Sequence, residues 1–163
     1  MILGVGSNLG DRDANIFHGL GLLAFTDGVS GLRETQRIET EPVGGPPQGR
    51  YMNSVVEIRT RISPRALLEK LHEIEAAVGR VRGERFGPRE LDLDILLYGD
   101  LIVREPDLEI PHPRMLERTF VLGPLRELAP KRVHPVTGRT ISDHWRELTR
   151  SIPGFRPPSK GGA

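Results

Sequence analysis

The chain has 163 residues, a formal net charge of +1 and no cysteine. Those figures exclude disulfides, thiolate metal sites, cysteine nucleophiles and a bulk basic nucleic-acid binder, and no run of ~18 apolar residues offers a membrane span. A single domain over residues 1–152, a flexible tail at 153–163, a cytosolic setting and a monomer are expected.

In chain order, residues 2–6 (ILGVG) read as a buried strand. A turn then leads to a helix over 12–25, with Ile16, Leu20 and Leu23 on one apolar face. Residues 32–39 are predicted as one strand, and 51–60 (YMNSVVEIRT) as another, since they alternate and are rich in β-branched types. Ser63 as N-cap, Pro64 at the first position and Gly79 beyond the end frame the clearest helix. Residues 90–98 (ELDLDILLY) form a strand and 101–110 a short hairpin. Helical pieces follow, one around Leu122, Leu125 and Leu128 and one at 140–149. The order β-α-β-β-α-β predicts a ferredoxin-like α+β core, an antiparallel sheet with two helices on one face. The added hairpin and C-terminal helices cover or extend it. Gly and Pro cluster at 42–49, 79–88 and 153–162, and the first two clusters lie between regular elements, as functional loops or lids do.

Asp92 and Asp94 are two apart on a strand, so they share a face while Leu91, Leu93 and Ile95 take the other. Two like charges that close need a cation or arginines between them, and paired oxygen donors suit Mg²⁺ better than zinc. The alternative is a sheet face with solvated acids. Arg80, Arg82, Arg85 and Arg89 crowd the glycine-hinged segment before them, an arrangement suited to a polyphosphate carrying Mg²⁺, or else a solvated basic loop. His112 lies between two prolines, with Arg118 and Phe120 following, and is either structural or part of a phosphate clamp. Tyr51 and Asn53 share a strand face. A tyrosine ring can stack on a flat ring, and an Asn amide offers a donor and an acceptor to a heterocycle edge. The alternative is an ordinary edge-strand surface. Gly4, Gly6 and Gly10 read G-x-G-x-x-x-G, one residue too long for a dinucleotide fingerprint, and no P-loop, HExxH or GxSxG motif is present.

The segments GSNLGDR (6–12), ETEPVG (39–44), YMN (51–53), IEAAVGRVR (74–82), RFGPRELDLDIL (85–96), IPHPRM (110–115) and RTFVLGPL (118–125) occur in one order. In that order the chain resembles the 6-hydroxymethyl-7,8-dihydropterin pyrophosphokinases of folate biosynthesis, over about residues 1–145. The GPRxLDLDIL and IPHPRM blocks are the specific ones. The resemblance implies a ferredoxin-like fold with three flexible catalytic loops, and pyrophosphate transfer from ATP to the pterin hydroxymethyl group, with AMP as the other product. It implies that Asp92 and Asp94 bind two Mg²⁺ ions, that Arg80 and Arg89 clamp the phosphates with Arg82 nearby on the nucleotide, and that Arg80, Arg89, Asp92 and Asp94 form the catalytic set. His112 and Arg118 fall on further phosphate contacts, and Glu75 and Ile95 on positions lining the base and sugar. Tyr51 and Phe120 fall on the aromatic faces around the pterin, Asn53 on its hydrogen-bonding partner, and Thr40 and Val43 on its backbone contacts. The chain departs from the family's pattern in three places. The arginine-rich lid is one residue shorter, Phe86 stands where many members carry Trp, and Pro113 where some carry Tyr. Other readings are a non-catalytic ligand-binding module of the same topology, a different Mg-dependent nucleotidyl or phosphoryl transferase, and an RNA-binding sheet, the last at odds with 5% aromatic content.

Overall fold

The computed structural model describes residues 1–80 and 86–157. The strands are β1 (Ile2–Ser7), β2 (Val29–Glu34), β3 (Ile38–Thr40), β4 (Tyr51–Thr60), β5 (Asp92–Leu97), β6 (Val103–Glu105) and β7 (Leu108–Ile110). The helices are α1 (Arg12–Ala24), α2 (Pro64–Val78), α3 (Thr119–Leu128) and α4 (Ile141–Ser151), with a short 3-10 turn at Met115–Glu117. The main sheet runs β2-β4-β1-β5, with β3 on β4 beside β2, and every pairing is antiparallel. β6 and β7 form a separate hairpin. The protein is a mixed α/β fold built on an antiparallel sheet.

Local chemistry sets the element ends. Asp11 caps α1 by accepting the Ala14 N–H, and Ser63 caps α2 by accepting that of Ala66. Gly79 closes α2 at φ 115°, a left-handed conformation that glycine takes without a Cβ clash. At α4, Thr140 and Asp143 form a reciprocal capping box.

The strand expected over 32–39 is two strands. Its break lies at Thr35–Arg37, where the Thr35 N–H donates to the Val55 carbonyl and the Thr35 hydroxyl accepts the Val55 N–H. A hydroxyl that takes the partner's ladder hydrogen bond interrupts regular pairing. The tail expected from 153 starts as an anchored segment: Phe155 packs edge-on against Trp145, centroids 5.4 Å apart. Residues 158–163 lie outside the described residues.

The sheet carries a core on each face. α1 and α2 bury Ile16, Leu20, Leu67, Leu71 and Ile74 against Leu3, Val5, Leu93 and Ile95. α3 and α4 bury Val121, Leu122, Leu125, Ile141 and Trp145 against Ile2, Val55, Leu96 and Leu97. Ile2 pairs with Leu97 but Leu3 with Ile95, so β5 holds one extra residue, Leu96. Among the described residues no helix is long and apolar enough to cross a membrane.

Candidate active site

β1, β4 and β5 lie side by side, so alternation sends one set of their residues to the α3 face beyond the apolar core. Gly4 and Gly6 of β1 pair with Asp94 and Asp92 of β5 on one side and with Val55 and Asn53 of β4 on the other. A cavity of about 250 Å³ opens there. Its wall includes Gly4, Gly6, Thr40, Val43, Tyr51, Asn53, Phe86, Arg89, Asp92, Asp94, His112, Arg118 and Phe120. The strand-face reading of Asp92 with Asp94, and of Tyr51 with Asn53, is therefore realised, and both pairs meet across the glycines.

Those glycines carry a role the spacing test missed. A Cβ on Gly6 would come within 2.9 Å of Asn53 Oδ1, so the cavity floor exists because β1 lacks side chains there. The signal was present as two glycines inside a strand, which mark close approach of a ligand or of another backbone.

The carboxylate end is dense in charge. Asp92 Oδ1 accepts from Arg80 at 3.1 Å and from Arg89 at 3.0 Å. Asp94 is pushed up to about 7, first by burial and then by the charge on Asp92, with Arg118, Arg89 and Arg80 opposing. Two aspartates supply oxygen donors only, and no group of three or more His, Cys, Asp or Glu side chains that could hold a metal exists among the described residues. Such a pair fits a hard cation that arrives with a polyphosphate, whose oxygens fill the rest of its shell.

His112 is held down to about 4, first by burial and then by Arg118. Its Nδ1 accepts the Arg114 N–H at 3.1 Å, so a neutral ring carries its proton on Nε2. At neutral pH it offers an anion one hydrogen bond and no charge. Arg118 lies over the Phe120 ring, 5.6 Å from its centroid. Tyr51 and Phe120 supply the aromatic part of the wall, and Asn53 Nδ2 donates to Thr40 Oγ1 at 2.5 Å.

Ile95, Glu75 and Arg80 are not on the cavity wall. Ile95 points with Leu93 into the α1–α2 core, as an odd-numbered neighbour of the aspartates must. Glu75 is 4% exposed and ion-paired to Arg80, off the cavity wall. Its effect on the site runs through Arg80, which reaches Asp92 from behind the wall. Arg82 lies outside the described residues, as does Arg85.

Sequence reasoning also missed Asn8 and Gln48. The Asn8 side chain donates to Gln48 Oε1 at 2.8 Å and to the Gly49 carbonyl at 3.1 Å, and accepts the Arg89 N–H at 2.8 Å. Gln48 donates in turn to the Phe86 carbonyl at 2.8 Å. The 7–11 turn, the 41–50 loop and the segment from Phe86 to Arg89 are thereby tied at one point. Asn8 was legible as part of GSNLG, but only the fold reveals its partners.

A carboxylate pair with guanidinium groups beside aromatic rings is chemistry suited to a transferase of anionic groups. The family model for 7,8-dihydro-6-hydroxymethylpterin-pyrophosphokinase matches residues 2–130. The 2-amino-4-hydroxy-6-hydroxymethyldihydropteridine pyrophosphokinase of Synechocystis is 41% identical over 140 residues, 86% of this chain and 71% of the relative. That of Methylorubrum extorquens is 40% identical over 149 residues, 91% and 93% of the two chains. Among solved structures, wild-type Plasmodium falciparum HPPK-DHPS aligns with a TM-score of 0.71 at 14% identity, a likeness of fold, over 91% of this chain. This chain spans 44% of that one.

The chain belongs to the 7,8-dihydro-6-hydroxymethylpterin-pyrophosphokinase family. It is an enzyme of folate biosynthesis that transfers pyrophosphate from ATP to the hydroxymethyl group of the dihydropterin.

Proposed function

We propose that the cavity divides its work between two ends: Asp92 and Asp94 hold two Mg²⁺ ions with the ATP phosphates, and Tyr51, Phe120, Asn53, Thr40 and Val43 hold the pterin. The observation that carries this is the shared floor. Gly4 and Gly6 separate the carboxylates of β5 from the slot of β4 by the width of one strand. Magnesium would neutralise phosphate charge and lower the pKa of a bound hydroxyl. Arg89 and Arg80, released from Asp92, clamp the transferring group, and Arg118 meets the nucleotide side. His112 donates Nε2–H to a phosphate oxygen. Arg82 belongs to the same clamp by resemblance, and Glu75 and Ile95 support the nucleotide side from behind.

In-line transfer to an alcohol depends on positioning and charge neutralisation more than on covalent help from the protein. The 41–50 loop and the Phe86–Arg89 segment exclude water, which otherwise competes with the alcohol. Asp94 accepts the hydroxyl proton. We further read the β2-β4-β1-β5 order with α1 and α2 on one face as a ferredoxin-like core, with β3, the hairpin, α3 and α4 as additions. The chain works as a monomer in the cytoplasm.

Arg89→Ala separates these roles. Turnover in Mg²⁺ should fall at least ~100-fold, in line with loss of one preorganised charge donor, while KM for either substrate shifts much less. Steady-state kinetics over a Mg²⁺ titration provide the check. A rise in KM at unchanged kcat would assign Arg89 to ground-state binding, and turnover in EDTA would remove the metal from the account.

A further inference from the structure

Phe86 stands where three loops meet. Its ring lines the cavity, and its backbone sits at φ 59°, a left-handed conformation uncommon for a bulky residue. Two contacts reach it from the 41–50 loop. Gln48 donates to its carbonyl, and Gly45 lies so close that a Cβ there would come within 2.5 Å of that oxygen. A third contact comes from the segment after β7, where the Arg114 guanidinium carbon lies 5.8 Å from the Phe86 ring centroid.

Arg114 is not on the cavity wall, and among the described residues it has no ion pair. Its main chain donates to His112 Nδ1, and His112 is on the wall. One residue therefore fixes a donor at the phosphate end through its backbone and touches an aromatic ring through its side chain. A charge on a long side chain, exposed and without a carboxylate partner, gains from resting on a π face. Gly45 and Gln48 hold the Phe86 backbone, and Arg114 meets the ring itself, so backbone and ring are fixed from two different segments.

We propose that Arg114 is a positioning residue for acceptor capture, acting through Phe86 to keep the ring over the mouth of the cavity. The proposal rests on the pterin reading of the slot.

The test is a double-mutant cycle of Arg114→Ala and Phe86→Leu, with Arg114→Lys as the conservative variant. Leucine keeps apolar bulk and removes the π face. Pterin affinity is read from the pterin's own fluorescence, so the cycle needs no turnover, and AMP release by the unaltered chain separately tests the pyrophosphokinase reading. Arg114→Ala should raise the pterin Kd and KM roughly two- to five-fold, the size of an exposed cation–π contact. kcat should stay within about two-fold, and Arg114→Lys should retain most of the affinity. In the Phe86→Leu background Arg114→Ala should add nothing. An equal loss in both backgrounds, no loss in either, or a loss confined to kcat or to the ATP KM would overturn the proposal.

Discussion

Asp94 is held in two opposing fields. Burial and Asp92 push its proton on, while three arginines pull it off, and the balance lies at about 7. Its ordinary value is 3.8, so between 3.8 and 7 the folded chain binds a proton that the unfolded chain has released. Stability from this group is therefore full below the lower value and lost as pH rises through the upper one. In cation-free buffer at pH 8, Asp94→Asn should melt above the parent, by an amount on the order of a few kcal/mol at most. The gap should close as pH falls towards 4, and turnover should be lost throughout. Calorimetric melting of both proteins across pH checks this, and a parent that outlasts the variant at pH 8 would contradict it. At this scale the acid pair was legible, because a strand's period of two fixes a shared face. Gly4 and Gly6 were not, because their role depends on which strands flank β1.

At the scale of elements, the loops are joined through Asn8. Asn8→Ala would strand the Arg89 N–H and remove the donor to Gln48 Oε1 together. An unsatisfied buried donor costs about 1–3 kcal/mol, so denaturant unfolding should show a loss of that size, with KM rising for both substrates. Gln48→Ala should raise KM with little change in unfolding. A similar argument applies to α4. His134, before the helix, and His144, on it, are both buried with ring centroids 5.8 Å apart, and His134 Nδ1 accepts from Val136 N–H at 3.3 Å. Burial, then His144, lowers His134 below 6.5, and burial, then Arg139, lowers His144, with Glu147 and Asp143 opposing the latter. The unfolded chain binds the extra protons, so stability from these groups is lost as pH falls below about 6.5. His134→Asn should flatten the acid side of the unfolding curve, read by the single tryptophan, Trp145, on the same helix; an unchanged slope would place the acid sensitivity elsewhere. Among elements, the caps at Ser63 and Gly79 fixed α2 from sequence. The division of 32–39 into β2 and β3 was hidden, because it turns on a Thr35–Val55 exchange set by the distant β4.

At the scale of the molecule, the described residues form a sheet with a helical layer on each side and a cavity opening on the face that α3 and α4 cover. The β-α-β-β-α-β order forecast the first layer, with Ile16 and Leu20 on one helix and Leu67 and Leu71 on the other marking the buried faces. The placement of α3 and α4 on the opposite face was not legible. Helical periodicity gives a stripe but not the surface it meets, and that choice is made by Val55 and Leu96. The choice also places Phe120 on the same cavity wall as Tyr51, the wall proposed to hold the acceptor. The central claim is that this slot and the carboxylate pair belong to one reaction. The most direct measurement mixes the protein with Mg-ATP and 6-hydroxymethyl-7,8-dihydropterin and separates the nucleotides and pterins. The account predicts AMP in step with a pterin diphosphate, and no turnover without the pterin. ADP with a pterin monophosphate, or no product while nucleotide still binds, would contradict it.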